Sequence, residues 1–121
     1  MKSKITGNLK NKKEYHGIIV NASQKNKSIF NELDVIGKRK VFAGLIILYK
    51  IKVTGNKIHD VIQKVQNNMS ENFLLKKQHY YAHFYRDDEL IIVFREKTFT
   101  VTTDKKTWSE AIEYGQTPEN K

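Results

Sequence analysis

Over one short stretch the apolar pattern of this chain changes its period, and that change constrains the fold more than any other feature. From Leu45 to Val53 the period is two. Ile47, Tyr49, Ile51 and Val53 share one face, while Ile46, Leu48, Lys50 and Lys52 share the other. Gly55 and Asn56 break the alternation. Ile58, Val61, Ile62, Val65 and Met69 then recur at i, i+3, i+4, i+7 and i+11, the stripe of an amphipathic helix. Lys57, Asp60, Lys64 and Gln66 largely fill the rest of that helix surface. The second face of the strand starts apolar and ends charged, as expected where a strand leaves the covered part of a sheet.

The remaining segments sort by the same two periods. Tyr15 to Val20 ends in Ile18-Ile19-Val20 after Gly17 and predicts a first strand. Asn21 to Lys27 is polar turn material, and Ser28 is placed to cap a short helical turn through Ile29 and Phe30. Leu33 to Phe42 predicts a bent or edge strand, interrupted by Gly37 and the Lys38-Arg39-Lys40 triplet. A charged, bulged edge resists unwanted pairing. After a connector from Ser70 to Gln78, Tyr80–Tyr85 and Leu90–Phe94 predict two strands joined by the acidic loop Arg86-Asp87-Asp88-Glu89. Thr98 to Thr102 alternates, with Phe99 and Val101 inward. Thr107-Trp108-Ser109-Glu110 has the form of a capping box opening a last helix. Its buried stripe is Trp108, Ala111 and Ile112, its stop Gly115, with Pro118 beyond. This order predicts an α+β fold: a mainly antiparallel sheet with two helices packed on one face. It includes a strand–helix–strand–strand segment of ferredoxin-like character. Residues 1–13 read as a flexible basic arm, 14–115 as a single domain and 116–121 as a C-terminal tail.

Charge and cysteine content bound the function. The 121 residues include 22 Lys or Arg and 13 Asp or Glu, a formal net charge of +9. Residues 1–77 hold 16 of the basic and 5 of the acidic side chains, so the excess lies in the first part of the chain. Lys2, Lys4, Lys10, Lys12 and Lys13 stand in an acid-free opening whose apolar content is too small to offset the entropy of ordering it. Such an arm attracts phosphates or acidic surfaces, or serves only solubility. The absence of Cys excludes disulfides, thiolate metal sites and a Cys nucleophile, and agrees with a reducing, cytoplasmic setting. The longest nearly continuous apolar run, Val41 to Tyr49, is too short for a bilayer span, which needs about 20 residues. No apolar signal core follows the basic start. Neither a membrane partner nor secretion is therefore expected.

Groups that carry chemistry are sparse. His79 and His83 have the i, i+4 spacing of helical metal ligands, but their segment alternates like a strand, where they would lie roughly 13 Å apart. His16 and His59 are isolated in sequence. No metal site and no cofactor are expected. Asp87, Asp88 and Glu89 form a carboxylate cluster that reads as a solvated turn, because general acid–base work needs carboxylates set across a cleft. No serine lies in a G-x-S-x-G elbow, and the six Gly are scattered rather than grouped into a phosphate-binding loop. The aromatic strand is the more informative segment. Tyr81, His83 and Tyr85 share one face, opposite Tyr80, Ala82 and Phe84. Such a row, with Lys50, Lys52 and Arg39 or Lys40 nearby, suits a small ligand or a partner protein, or can stack unpaired bases of a nucleic acid. It can equally serve only cross-strand packing.

Two groups of residues carry a resemblance. One is Gly17-Ile18-Ile19-Val20 with a Lys-Ser-Ile-Phe step after it, then Leu48-Tyr49-Lys50-Ile51-Lys52-Val53. The other is Tyr81-Ala82-His83-Phe84-Tyr85, Leu90 to Phe99, and Glu113-Tyr114-Gly115. Together they resemble a widespread family of small uncharacterised prokaryotic proteins, in which a W-Y-A-x-F strand leads to an I-I-F-K-N-K-V-F hairpin and a late helix ends K-Y-G or E-Y-G. The resemblance covers most of residues 15–115. It implies an α+β architecture and a cytoplasmic setting, and no activity. Tyr80 stands where the family has Trp, and the chain ends Gln116-Thr117-Pro118-Glu119-Asn120-Lys121 where members continue into an apolar-acidic tail. The expectation is a non-enzymatic binding module using Tyr81, His83, Tyr85, Lys50 and Lys52. The alternatives are a nucleic-acid binder using the same face and the basic arm, and an enzyme whose site is assembled from dispersed residues.

Overall fold

The computed structural model describes residues 14–70 and 80–116. The expected arm, residues 71–78 of the expected connector, His79 and residues 117–121 of the expected tail lie outside them, whereas Gln116 belongs to the last helix. Among the described residues, six strands make one antiparallel sheet. They are β1 (Tyr15–Val20), β2 (Asp34–Val41), β3 (Ile46–Val53), β4 (Tyr81–Arg86), β5 (Glu89–Phe94) and β6 (Thr98–Thr102), in spatial order β2-β3-β1-β4-β5-β6. The helices are α1 (Ile29–Glu32), α2 (Ile58–Asn67) and α3 (Ser109–Gln116). The fold is α+β with an antiparallel sheet, as expected.

β1 sits between β3 and β4 and runs antiparallel to both, so β3 and β4 are parallel to each other with α2 connecting them. Beyond this crossover the strands continue as hairpins, and the expected ferredoxin-like character is not confirmed. β2 is an edge strand with a bulge between Val35 and Gly37, which matches the interrupted charged pattern.

The core lies between α2 and one sheet face. Ile19, Ile51, Phe84 and Val93 point from the strands, and Ile58, Val65 and Met69 meet them from the helix side. Removing each such side chain from water contributes about 1.5–3 kcal/mol before entropy is counted. Gly17 is required here by space. A Cβ on it would lie 2.6 Å from the Phe84 ring and 3.2 Å from Ile51. At the other end of this face the Tyr15 hydroxyl donates to Glu89 Oε1 at 2.9 Å, and the Arg86 guanidinium lies 4.2 Å from the Tyr15 ring centroid. Burial, and then the Glu89 bond, raises the Tyr15 pKa. Glu89 is thus a structural partner rather than a solvated loop acid. The turn itself is Asp87-Asp88, with Asp87 at φ 54°.

The two long helices lie on opposite faces, not on one. Phe99 pairs with Ile92, which pairs with His83, so these residues look away from α2. Tyr114 of α3 packs against that side, 4.8 Å from the Phe94 ring and 5.8 Å from Phe99. The reason is the β6 pattern. Its apolar residues, Phe99 and Val101, face away from the core, whereas Thr98, Thr100 and Thr102 face α2, whose Gln66 bonds the Thr98 hydroxyl at 3.2 Å.

The start of α3 also differs from the capping-box reading. The chain first makes a 3-10 turn, Lys105–Trp108, capped by Asp104, whose Oδ1 accepts from the Lys106 amide at 3.0 Å. The Thr107 hydroxyl donates back to the Asp104 carbonyl at 2.7 Å and is not an N-cap. Ala111 is buried, but Ile112 is 51% exposed, and Tyr114 takes its place in the packed stripe. Gly115 lies inside the helix, where a Cβ would sit 3.3 Å from Phe94. Ser28 makes no capping bond either; its hydroxyl donates to Asn26 Oδ1 at 2.7 Å.

The end of α2 is tied to the 21–27 loop through Asn68. Its Nδ2 donates to Gln24 Oε1 and to the Asn26 carbonyl, both at 3.0 Å, while its Oδ1 accepts from the Asn26 amide at 3.1 Å. The Asn68 carbonyl accepts from the Lys25 amide at 2.8 Å, and the Ser70 amide donates to the Ser23 carbonyl at 2.6 Å. Ser23 and Gln24 are fully buried, so this network answers polar groups that water does not reach.

Candidate functional site: the open sheet face

Every second residue of the central strands projects from the face opposite α2. Cross-strand pairing arranges these residues in rows. One row runs Asp34, Lys52, His16, Tyr85, Leu90, Val101 from β2 to β6; the next runs Gly37, Lys50, Ile18, His83, Ile92, Phe99. α3 packs on the β5–β6 end of this face, over Phe94 and Phe99, and leaves the β1–β4 region beside it. There Tyr81 is 49% exposed, and His16, His83 and Tyr85 are half-buried.

All five residues expected at the site share this face, but they do not form one cluster. The rings are close. His83 lies 6.3 Å from Tyr81 and 6.1 Å from Tyr85 between centroids, both pairs tilted. Lys50 and Lys52 stand across β1, two strand spacings from His83 and Tyr85, about 10 Å at roughly 4.8 Å per spacing. Lys50 is exposed, opposite Gly37. Lys52 is half-buried, pairs across the sheet with Asp34 and lies 3.7 Å from the Glu14 carboxylate. Of the two further basic candidates, Arg39 shares the face through its pairing with Leu48. Lys40 pairs with Ile47 and faces the other way.

His16 is the member of this ring row that sequence reasoning missed. Its ring stacks on Tyr85 with centroids 5.8 Å apart and planes 26° apart. The available signal was the alternation of β1, which puts His16 and Ile18 opposite Tyr15, Gly17 and Ile19. Tyr81 also contacts Phe94 at 5.7 Å, so the ring row runs on toward α3. Burial lowers the His83 pKa, because desolvation disfavours the imidazolium. His83 therefore presents a neutral ring at neutral pH, with one nitrogen able to donate and the other to accept.

Among the described residues no group of three or more His, Asp or Glu is placed to hold a metal ion. His59 lies on α2, across the sheet from His83. A second concavity of about 370 Å³ lies between α1 and the end of α2, lined by Asn26, Ser28, Glu32, Lys64 and Asn68 among others. Lys64 and Glu32 bridge it at 3.2 Å. None of the expected site residues lies there. No helix among the described residues is long and apolar enough to cross a membrane. Comparison with known proteins found no matching family model, no matching curated protein and no matching solved structure.

Proposed function

We propose that this protein is a binding module that works through the open sheet face, with Tyr81, His83, Tyr85 and His16 as its contact surface. The observation that supports this reading is the continuity of the rings. From His16 through Tyr85 and His83 to Tyr81, neighbouring centroids lie 5.8 to 6.3 Å apart on a face that is partly open to solvent. Flat aromatic faces edged by hydroxyls and a neutral imidazole suit a small planar molecule or an aromatic-rich protein surface. Lys50 suits an anionic group on that ligand. A cytoplasmic setting and the likeness to the small prokaryotic family belong to the same proposal, which assigns no reaction.

The test is amide NMR of the full chain titrated with indole-3-acetate and with adenosine monophosphate. Saturable shifts at Ile18, Ala82, His83 and Phe84 are expected. Shifts confined to the α1–α2 concavity, or none with either probe at millimolar concentration, would overturn the reading.

Nucleic acid is a second reading, favoured by Arg39, Lys50 and Lys52 lying on the ring-bearing face. It requires affinity for single-stranded oligonucleotides that falls steeply with salt, as phosphate counterions are released. Fluorescence polarisation at two salt concentrations decides it.

A further inference from the structure

The turn between β2 and β3 is built against local preference. Phe42 and Ala43, the central residues of the Val41–Gly44 turn, have φ of 53° and 56°, and Gly44 follows at 86°. The Gly44 amide donates to the Val41 carbonyl at 3.2 Å, and the Leu45 amide to the Phe42 carbonyl at 3.1 Å. A turn with positive φ at both central positions favours Asn-Gly or Asp-Gly, and a bulky residue there is an outlier. The turn nevertheless carries Phe42, 73% exposed, and beside it Leu45, 85% exposed.

Basic residues stand behind these two side chains. Between Val35 and His59 the chain has no Asp or Glu, and the basic residues nearest the turn are Lys38, Arg39 and Lys40. Lys38, Arg39 and Lys40 are exposed just behind the turn. Because they alternate, Arg39 lies on the open face while Lys38 and Lys40 lie on the α2 side, so the basic groups flank the hairpin on both sides. The end of the hairpin also projects. β1 pairs with β3 only as far as Val20 and Leu48, leaving two β2–β3 pairs and the turn beyond it. At about 3.4 Å per residue this projection is on the order of 10 Å.

We propose that the β2–β3 turn docks on the surface of an anionic lipid bilayer. Phe42 and Leu45 enter the layer between headgroups and acyl chains, and Lys38, Arg39 and Lys40 meet the acidic headgroups. The projection matches the roughly 5–10 Å to which interfacial segments bury their apolar side. Polybasic groups behind an apolar tip complement a negatively charged leaflet. A second copy of the chain is a poor occupant, because tip-to-tip contact brings like charges together. The contact is superficial, and it departs from the expectation of no membrane partner, which rested only on the lack of an apolar run long enough to span a bilayer.

The experiment is co-sedimentation of the full chain with phosphatidylcholine vesicles, with and without phosphatidylserine. Binding to the anionic vesicles only, weakened by salt, is expected. The variant Phe42→Asn/Leu45→Ser should lose roughly tenfold or more of that binding, since two apolar groups no longer leave water. Asn tolerates positive φ, so the same variant should melt no lower than the parent, which separates lost docking from lost folding. The idea is overturned by absence of binding to anionic vesicles, or by binding that the variant leaves unchanged, which would assign it to lysines elsewhere. Tip-dependent dimerisation or duplex DNA binding without vesicle binding would likewise overturn it, by naming another occupant.

Discussion

The two faces of the sheet are made by the same strands and used in opposite ways. On the α2 face, Ile19, Ile51, Phe84 and Val93 are sealed, and even a single methyl added at Gly17 would not fit beside Phe84. On the other face the intervening residues, His16, Ile18, Tyr81, His83 and Tyr85, remain partly in water. A strand alternates its side chains, so residues one apart in sequence meet different solvents. Under the proposed function that separates stability from recognition: the groups that hold the sheet together and those proposed to receive a ligand interleave in sequence without competing for space.

The largest effect should come from the sealed face. Phe84→Ala should cost about 3–5 kcal/mol, measured by urea unfolding. Gly17→Ala alone should cost about 1–3 kcal/mol through overlap with the Phe84 ring. In the double variant the added methyl enters space the ring has left, so the combined loss should fall short of the sum. Strict additivity would mean that Gly17 is not there for the ring.

A smaller effect divides the faces by pH. The native His83 pKa is lowered by burial, so between that value and about 6.5 the unfolded chain binds the proton more readily than the folded one. Stability should therefore be unaffected by His83 at neutral pH, fall as pH drops below about 6.5, and level off below the native value. His83→Gln should flatten this part of the profile. An unchanged slope would place the proton uptake elsewhere.

The smallest effect on folding belongs to Tyr81. With half of its surface already in water, Tyr81→Ala should change stability by less than about 1 kcal/mol. The same change should weaken binding of whichever aromatic probe shifts the Ile18 and His83 amides. A large loss of stability would mean that this face is packing after all.

Much of this contrast was legible in the chain. β1 has the predicted limits, the β3 alternation and α2 stripe face the core, and the interrupted charged segment became a bulged edge strand. These are local patterns, each readable from a period or a break. What escaped depends on distant partners or on competition between neighbours. His16 gains meaning only from Tyr85, which no local pattern brings beside it. The side chosen by α3 was fixed by Phe94 and Phe99, since an apolar helix stripe does not state which sheet face it will cover. Asp104 displaced Thr107 as the cap because a 3-10 turn intervened, moving the start of the helical path back along the chain. The Phe42-Ala43 turn has none of the residues that normally announce its geometry.

The Asn68 network ties two segments into one opening unit. The 21–27 loop and the last turn of α2 share the same side chain, so neither can separate from the other without exposing Gln24 and Ser23 to solvent together. Local fluctuations there should be all-or-none, with the Lys25, Asn26 and Ser70 amides exchanging their hydrogens through a common opening instead of fraying one by one. A connection between a strand and a short helix, which would ordinarily be the loosest part of such a sheet, is thereby made to open and close with the helix that covers the core.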